Sequence, residues 1–161
     1  MFQFAEKYKV LPILAPVDIV ATATASAYVD LTESHWASFL VEFGVITTGS
    51  LTVTVEASTA GSSNATEAAI PFNYRLSAAV ATDTMGAITA GTSAGVSITA
   101  SDDAKTLVIE VDPAALPTNP GADFKWLRLV LSPTTDMTVC LAAAQFIGAP
   151  RYPGNSMNSV T

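Results

Sequence analysis

The chain has 161 residues, 50% of them hydrophobic but only 13% charged, with 7 basic and 14 acidic side chains and a formal net charge of −7. An ordinary soluble domain carries roughly 25% charged residues, and here much of the apolar share is small, with 27 Ala, alongside 20 Thr. Mean hydropathy is +0.42, yet no apolar run reaches the roughly 18–20 residues of a membrane-spanning helix. Regular β-branched runs exclude intrinsic disorder. The absence of a basic patch argues against a nucleic-acid partner.

Residues 1–7 mix charges into MFQFAEK and read as an N-terminal arm with two apolar anchors, Phe2 and Phe4. They lack the apolar core of a secretory signal, so synthesis in the cytoplasm is expected. Short strands are predicted at Tyr8–Leu14, Val17–Thr22 and Ala27–Leu31. Thr32 to Trp36 suits a single helical turn capped by Thr32. Strict alternation follows. Phe39, Val41, Phe43 and Val45 point one way, and Leu51, Val53, Val55 and Ala57 do the same after Thr47-Thr48-Gly49-Ser50, which reads as a hairpin turn. Ser58 to Ala68 is a flexible polar loop in which Asn64-Ala65-Thr66 matches a glycosylation acceptor without a secretory context. Phe72, Tyr74 and Leu76 alternate next, then Val96, Ile98 and Ala100, then Leu107, Ile109 and Val111 across a turn at Ser101–Lys105. Phe124–Leu131 and Thr138–Ile147 are apolar nearly throughout and read as central strands. The last residues, 151–161, form a tail with Arg151 and Tyr152 beside Pro150 and Pro153.

Eight to ten strands separated by Gly, Pro, Asn, Asp and Ser predict an all-β fold, an antiparallel β-sandwich of jelly-roll type over residues 8–150, with arms at both ends. The expected core is Phe39, Val41, Phe43, Leu51, Val53, Val55, Leu76, Ile98, Leu107, Ile109, Trp126 and Leu129.

The chemistry-bearing residues are few. Cys140 is the only cysteine and His35 the only histidine. A Cys–His nucleophile pair has no motif around either member, and Cys140 suits a small buried hydrophobe better. Two ligands are too few for a structural zinc site. Asp102, Asp103 and Asp112 lie near one predicted hairpin, where turn capping explains them better than Ca²⁺ does. No cofactor is implied and no catalytic activity is expected. Among the aromatics, Trp36, Trp126, Tyr28 and Tyr152 are available to a carbohydrate-binding sandwich, with Trp36 expected to be exposed and Trp126 expected in the core.

Tyr28-Val29-Asp30-Leu31, Trp36-Ala37-Ser38-Phe39-Leu40-Val41, Leu51 to Ser58, Ile70-Pro71-Phe72-Asn73-Tyr74-Arg75-Leu76-Ser77 and Pro150-Arg151-Tyr152-Pro153-Gly154-Asn155 resemble small virion proteins of tailed bacteriophages and prophages. Within that group the chain is similar to head decoration (cement) proteins. The resemblance implies a structural protein on the outer surface of the capsid, with the major capsid protein as partner, no nucleic acid or membrane contact, and self-association as a trimer. Phe2, Phe4, Arg151 and Tyr152 are then the expected capsid contacts. Phe124, Trp126 and Arg128 are the expected oligomer interface. The alternative is a tail- or fibre-associated, carbohydrate-binding module for host attachment.

Overall fold

A computed structural model describes residues 4–62, 65–119, 122–134 and 136–150. A single helical turn, α1 (Phe4–Lys7), leads into β1 (Lys9–Asp18), and thirteen further strands follow. They are β2 (Thr24–Ala25), β3 (Val29–Asp30), β4 (Ser34–Ile46), β5 (Ser50–Ser58), β6 (Glu67–Ile70), β7 (Phe72–Leu76) and β8 (Thr89–Gly91). After these come β9 (Val96–Thr99), β10 (Thr106–Val111), β11 (Thr118–Asn119), β12 (Ala122–Asp123), β13 (Trp126–Pro133) and β14 (Cys140–Pro150). The first large sheet runs β1-β14-β4-β10-β7-β8, and the second places β2 and β3 beside β13, then β5, then β6 and β9. All pairings are antiparallel. The molecule is an all-β sandwich.

The winding is that of a jelly roll. Strands β1, β14, β4 and β10 of one sheet alternate in the chain with β2/β3, β13, β5 and β9 of the other. Consecutive long strands therefore face each other across the core, and their inward residues interdigitate. This corrects two predicted hairpins. Residues 47–49 join β4 in the first sheet to β5 in the second, and Ala100–Lys105 joins β9 in the second to β10 in the first. Both are arches between sheets. Gly49, at φ +76, serves the first: a Cβ there would lie 2.6 Å from Thr134 Oγ1 and 2.8 Å from Asp136 Oδ1. The second is closed by Asp103 Oδ1, which accepts the Ile46 N–H at 3.0 Å.

The core lies between the sheets, where alternation points it. Phe39, Val41, Phe43, Leu51, Val53, Val55, Ile98, Leu107, Ile109 and Leu129 are buried, and Phe39 meets Phe146 with ring centroids 5.6 Å apart. Leu76 and Trp126 are only half-buried. On β13 the inward positions are Leu127, Leu129 and Leu131, so Trp126 and Arg128 face outward, and the strand is not buried on both faces. The same holds for β14, where Cys140, Ala142, Ala144 and Phe146 point inward and Leu141 remains 43% exposed. The predicted helical turn before Trp36 is a tight turn at Thr32 and Glu33, stabilised by Asp30 Oδ1 accepting the Thr32 N–H at 2.8 Å. Where three short strands were expected near the N-terminus, the first is one ten-residue edge strand, bulged between Pro12 and Leu14 and between Leu14 and Val17. Prolines and bulges on an edge hinder its extension by a foreign strand.

Candidate functional site

The outer face of the first sheet changes character from one side to the other. In one cross-strand row Val10 of β1 pairs with Ile147 of β14, Ile147 with Ser38 of β4, Ser38 with Glu110 of β10 and Glu110 with Asn73 of β7. The β1–β14 side is apolar and the β10–β7 side is polar. Trp36, opposite Ala149 at the start of β4, stands on the boundary. It projects outward because Ala37, Phe39 and Val41 take the inward positions of the strand.

Two clefts meet at Trp36. One, of about 480 Å³, is lined by Phe4, Tyr8, Trp36, Ile147 and Ala149. The Phe4 and Tyr8 rings lie 5.0 Å apart, and Tyr8 meets Trp36 edge-on at 6.5 Å and 66°. The turn α1 holds this stack together, since the Tyr8 N–H donates to the Phe4 carbonyl at 3.0 Å. The other cleft, of about 390 Å³, is lined by His35, Trp36, Asn73, Glu110, Val111 and Asp112. Among the described residues, no hydrogen bond or ion pair engages the side chains of His35, Asn73 or Glu110. Asp112 spends one oxygen on the Ala114 N–H at 2.9 Å. The walls thus offer an aromatic surface beside open hydrogen-bonding groups.

The outer face of the second sheet is organised otherwise. Arg128 on β13 sits directly opposite Glu56 on β5. Its Nε donates to Glu56 Oε2 at 2.9 Å, its Nη1 to the Tyr28 hydroxyl at 2.6 Å and its Nη2 to Glu67 Oε2 at 2.5 Å. The Tyr28 hydroxyl donates in turn to Glu67 Oε1, which closes the network. Burial and then the bond to Glu67 raise the Tyr28 phenol above its ordinary range. Burial works against the Arg128 charge, but the bond and field of Glu56, with Glu67, more than offset it and hold the guanidinium ionised. Around the network the face carries Thr52, Thr54, Val130 and Ser132.

The other predicted residues are placed as follows. Phe124 is buried at 8% exposure inside the core cluster, while Trp126 and Arg128 face outward from the second sheet. Cys140 is a buried free thiol held protonated, first by burial and then by the nearby Asp18. Cys140 pairs with Ile46 at one end of β4 and His35 is eleven residues away at the other, about 36 Å at roughly 3.3 Å per residue. The two cannot act as a pair. Asp102 caps the arch through the Thr99 N–H at 3.0 Å and binds Lys105 at 3.0 Å; burial opposes its charge, yet these bonds hold its carboxyl below the usual range. Asp112 lies at the far end of β10 from Asp102 and Asp103, so the three do not converge on one cation. Phe4 is exposed beside Tyr8, whereas Phe2, Asn64, Arg151 and Tyr152 lie outside the described residues. The sequence singled out Trp36 but missed Asn73 and Glu110, because nothing local in the chain announces that β10 will pair with β4 and β7 with β10.

No protein-family model and no curated protein matches the chain. Among solved structures it is similar to a chain of infectious bursal disease virus, Gt strain, at 11% identity and a TM-score of 0.29, over 96% of this chain and 43% of that one. It is also similar to a chain of the Gx strain of that virus, at 14% identity and a TM-score of 0.21, over 91% of this chain and 41% of that one. The chain spans less than half the length of these neighbours. With such TM-scores, the functional reading rests on this chain's own residues.

Proposed function

We propose that the chain is a non-catalytic structural protein of a virion, bound to the outer surface of a bacteriophage head as a decoration (cement) protein. The observation that supports this reading is the outer face of the second sheet. Its Thr, Ser and Val side chains, with the outward Trp126, surround one charge network, and that network is already closed on itself. A face whose charges are paired and hydrogen-bonded before contact leaves no lone charge to strip of water when a partner covers it. The partner is the major capsid protein at junctions between subunits, with copies of the chain associating as a trimer. Many such weak contacts, repeated by symmetry, add up to strong attachment.

The test is binding of the purified protein to assembled, expanded heads, with cryo-electron microscopy of the particle. Density on the head lattice, with the second sheet turned toward the shell, is the expected result. Density at the tail tip, or none on the virion, overturns it. Val130→Lys, on the outward side of β13, abolishes head binding while leaving the fold intact, and deleting residues 1–7 or 150–161 weakens it. A tail- or fibre-borne attachment module is the second reading, favoured by the aromatic cleft at Trp36.

A further inference from the structure

We propose that the two clefts that share Trp36 bind a neutral saccharide, on the sheet face opposite the one assigned to the capsid. The inference stands on this cleft alone and holds whether or not the head placement does.

The argument starts from what a pyranose presents. One face of the ring is a patch of C–H groups and its rim is a belt of hydroxyls, so a receptor needs an aromatic platform and, within one ring's reach, side chains that both donate and accept hydrogen bonds. Trp36 supplies the platform, with Tyr8 set edge-on against it. In the cleft of about 390 Å³, Asn73 offers an amide donor and acceptor, and Glu110 offers two acceptor oxygens, all without partners among the described residues. Hydrogen bonds from sugar hydroxyls to a carboxylate are charge-assisted and stronger than neutral ones. Volumes of about 480 and 390 Å³, in two clefts that share Trp36 as a wall, fall within the roughly 300–1,000 Å³ of small-molecule sites. They give room for a sugar ring in each cleft, so the fitting ligand is a disaccharide or the end of a longer glycan.

Charge narrows the class. Glu110 and Asp112 line the polar cleft and the chain carries a net charge of −7, so uronic and sialic acids meet like charge at the point of contact. Asn73 is exposed and Glu110 half-exposed, so leaving their polar atoms without protein partners costs the fold little. A second copy of the chain fits less well, because a flat protein surface would bury Glu110 and Asp112 without the dense hydroxyls that bond them.

The experiment is ¹H–¹⁵N NMR of the full chain, whose two tryptophans give two indole N–H signals, assigned with Trp36→Phe. Maltose, cellobiose and lactose are the probes, with 3′-sialyllactose as the charged contrast. At least one neutral disaccharide shifts the Trp36 signal saturably, leaves Trp126 in place, and binds more tightly than the sialylated sugar. Trp36→Ala weakens that binding about tenfold, the worth of a lost aromatic contact. Asn73→Ala and Glu110→Gln, at outward positions that leave the fold untouched, weaken it as well and keep the test decisive if Trp36→Ala folds poorly. The proposal is overturned by the absence of any saturable shift at tens of millimolar sugar, by a response confined to Trp126, or by Asn73→Ala and Glu110→Gln variants that bind like the parent. A Trp36 signal that moves with protein concentration alone overturns it in favour of self-association.

Discussion

On the outer face of the second sheet, Arg128 directs its guanidinium to Glu56, Glu67 and Tyr28, whereas across the core Asn73, Glu110 and His35 face a cleft without partners among the described residues. Both faces come from alternating strands of the same sandwich, and both show their half-exposed positions outward. What separates them is how polar groups are satisfied. A network closed within the chain is ready to be covered by another surface, while open donors and acceptors beside an aromatic ring await a ligand that brings its own. The difference follows from register. Arg128 lies directly opposite Glu56, and Glu67, opposite Ser58, comes within reach one pleat along. In the first sheet the residues directly opposite Glu110 are Ser38 and Asn73, and Arg75, one pleat along on β7, turns its Nη1 to the Gly86 carbonyl at 3.4 Å instead.

Breaking the closed network should produce the largest effect. Arg128→Ala leaves Glu56 and Glu67 facing each other, and we expect a loss of about 2–3 kcal/mol, read from the urea midpoint. That is below the roughly 3–5 kcal/mol of a fully buried pair, because the Arg128 side chain is still 16% exposed. Replacing the trio by apolar residues (Arg128→Met, Glu56→Leu, Glu67→Leu) should recover most of that loss. If the triple variant is no more stable than Arg128→Ala, the cost lies in lost packing and not in unpaired charge.

Alkaline pH probes the same network more gently. The Tyr28 phenol is raised above its ordinary value of 10.0, with burial the leading cause and the Glu67 bond the next. Below pH 10 both folded and unfolded chains hold the proton. Above it the unfolded chain ionises first, so stability falls as pH rises toward the folded value. Tyr28→Phe should cost about 1 kcal/mol at neutral pH through its lost hydrogen bonds and should flatten the decline above pH 10. An unchanged decline would assign it to other groups.

The smallest effect belongs to the open face. Glu110→Gln and Asn73→Ala should each change stability by less than about 0.5 kcal/mol, as substitutions at outward positions without partners do. A loss above about 1 kcal/mol in thermal unfolding would show that these groups support the fold, and the contrast between the faces would fail.

Where alternation was strict, burial was legible from the sequence alone: Leu51, Val53 and Val55, or Leu107 and Ile109, occupy the inward positions that their spacing assigns. Where every position was apolar, spacing lost its meaning. The run from Phe124 to Leu131 offers no polar residue to mark the outer face except Lys125 and Arg128, and Trp126 was placed in the core although Leu127 holds that position. Apolar character fixed the strand, and only the partner strands fixed which side of it faces inward.

By itself, then, the sequence determined that the chain is all-β, which segments extend and, in the alternating ones, which side chains share a face, because a period of two is a local property of the backbone. Tertiary structure alone decided which sheet each strand joins. Gly49 and its neighbours permit a hairpin or an arch equally, and the choice is made by which apolar faces meet across the core, as when β4 packs over β5 instead of pairing with it. The same choice sets β10 beside β4 and β7 beyond β10, and so brings Glu110 and Asn73 into one cleft with Trp36, through contacts between residues far apart in the chain that no local pattern records.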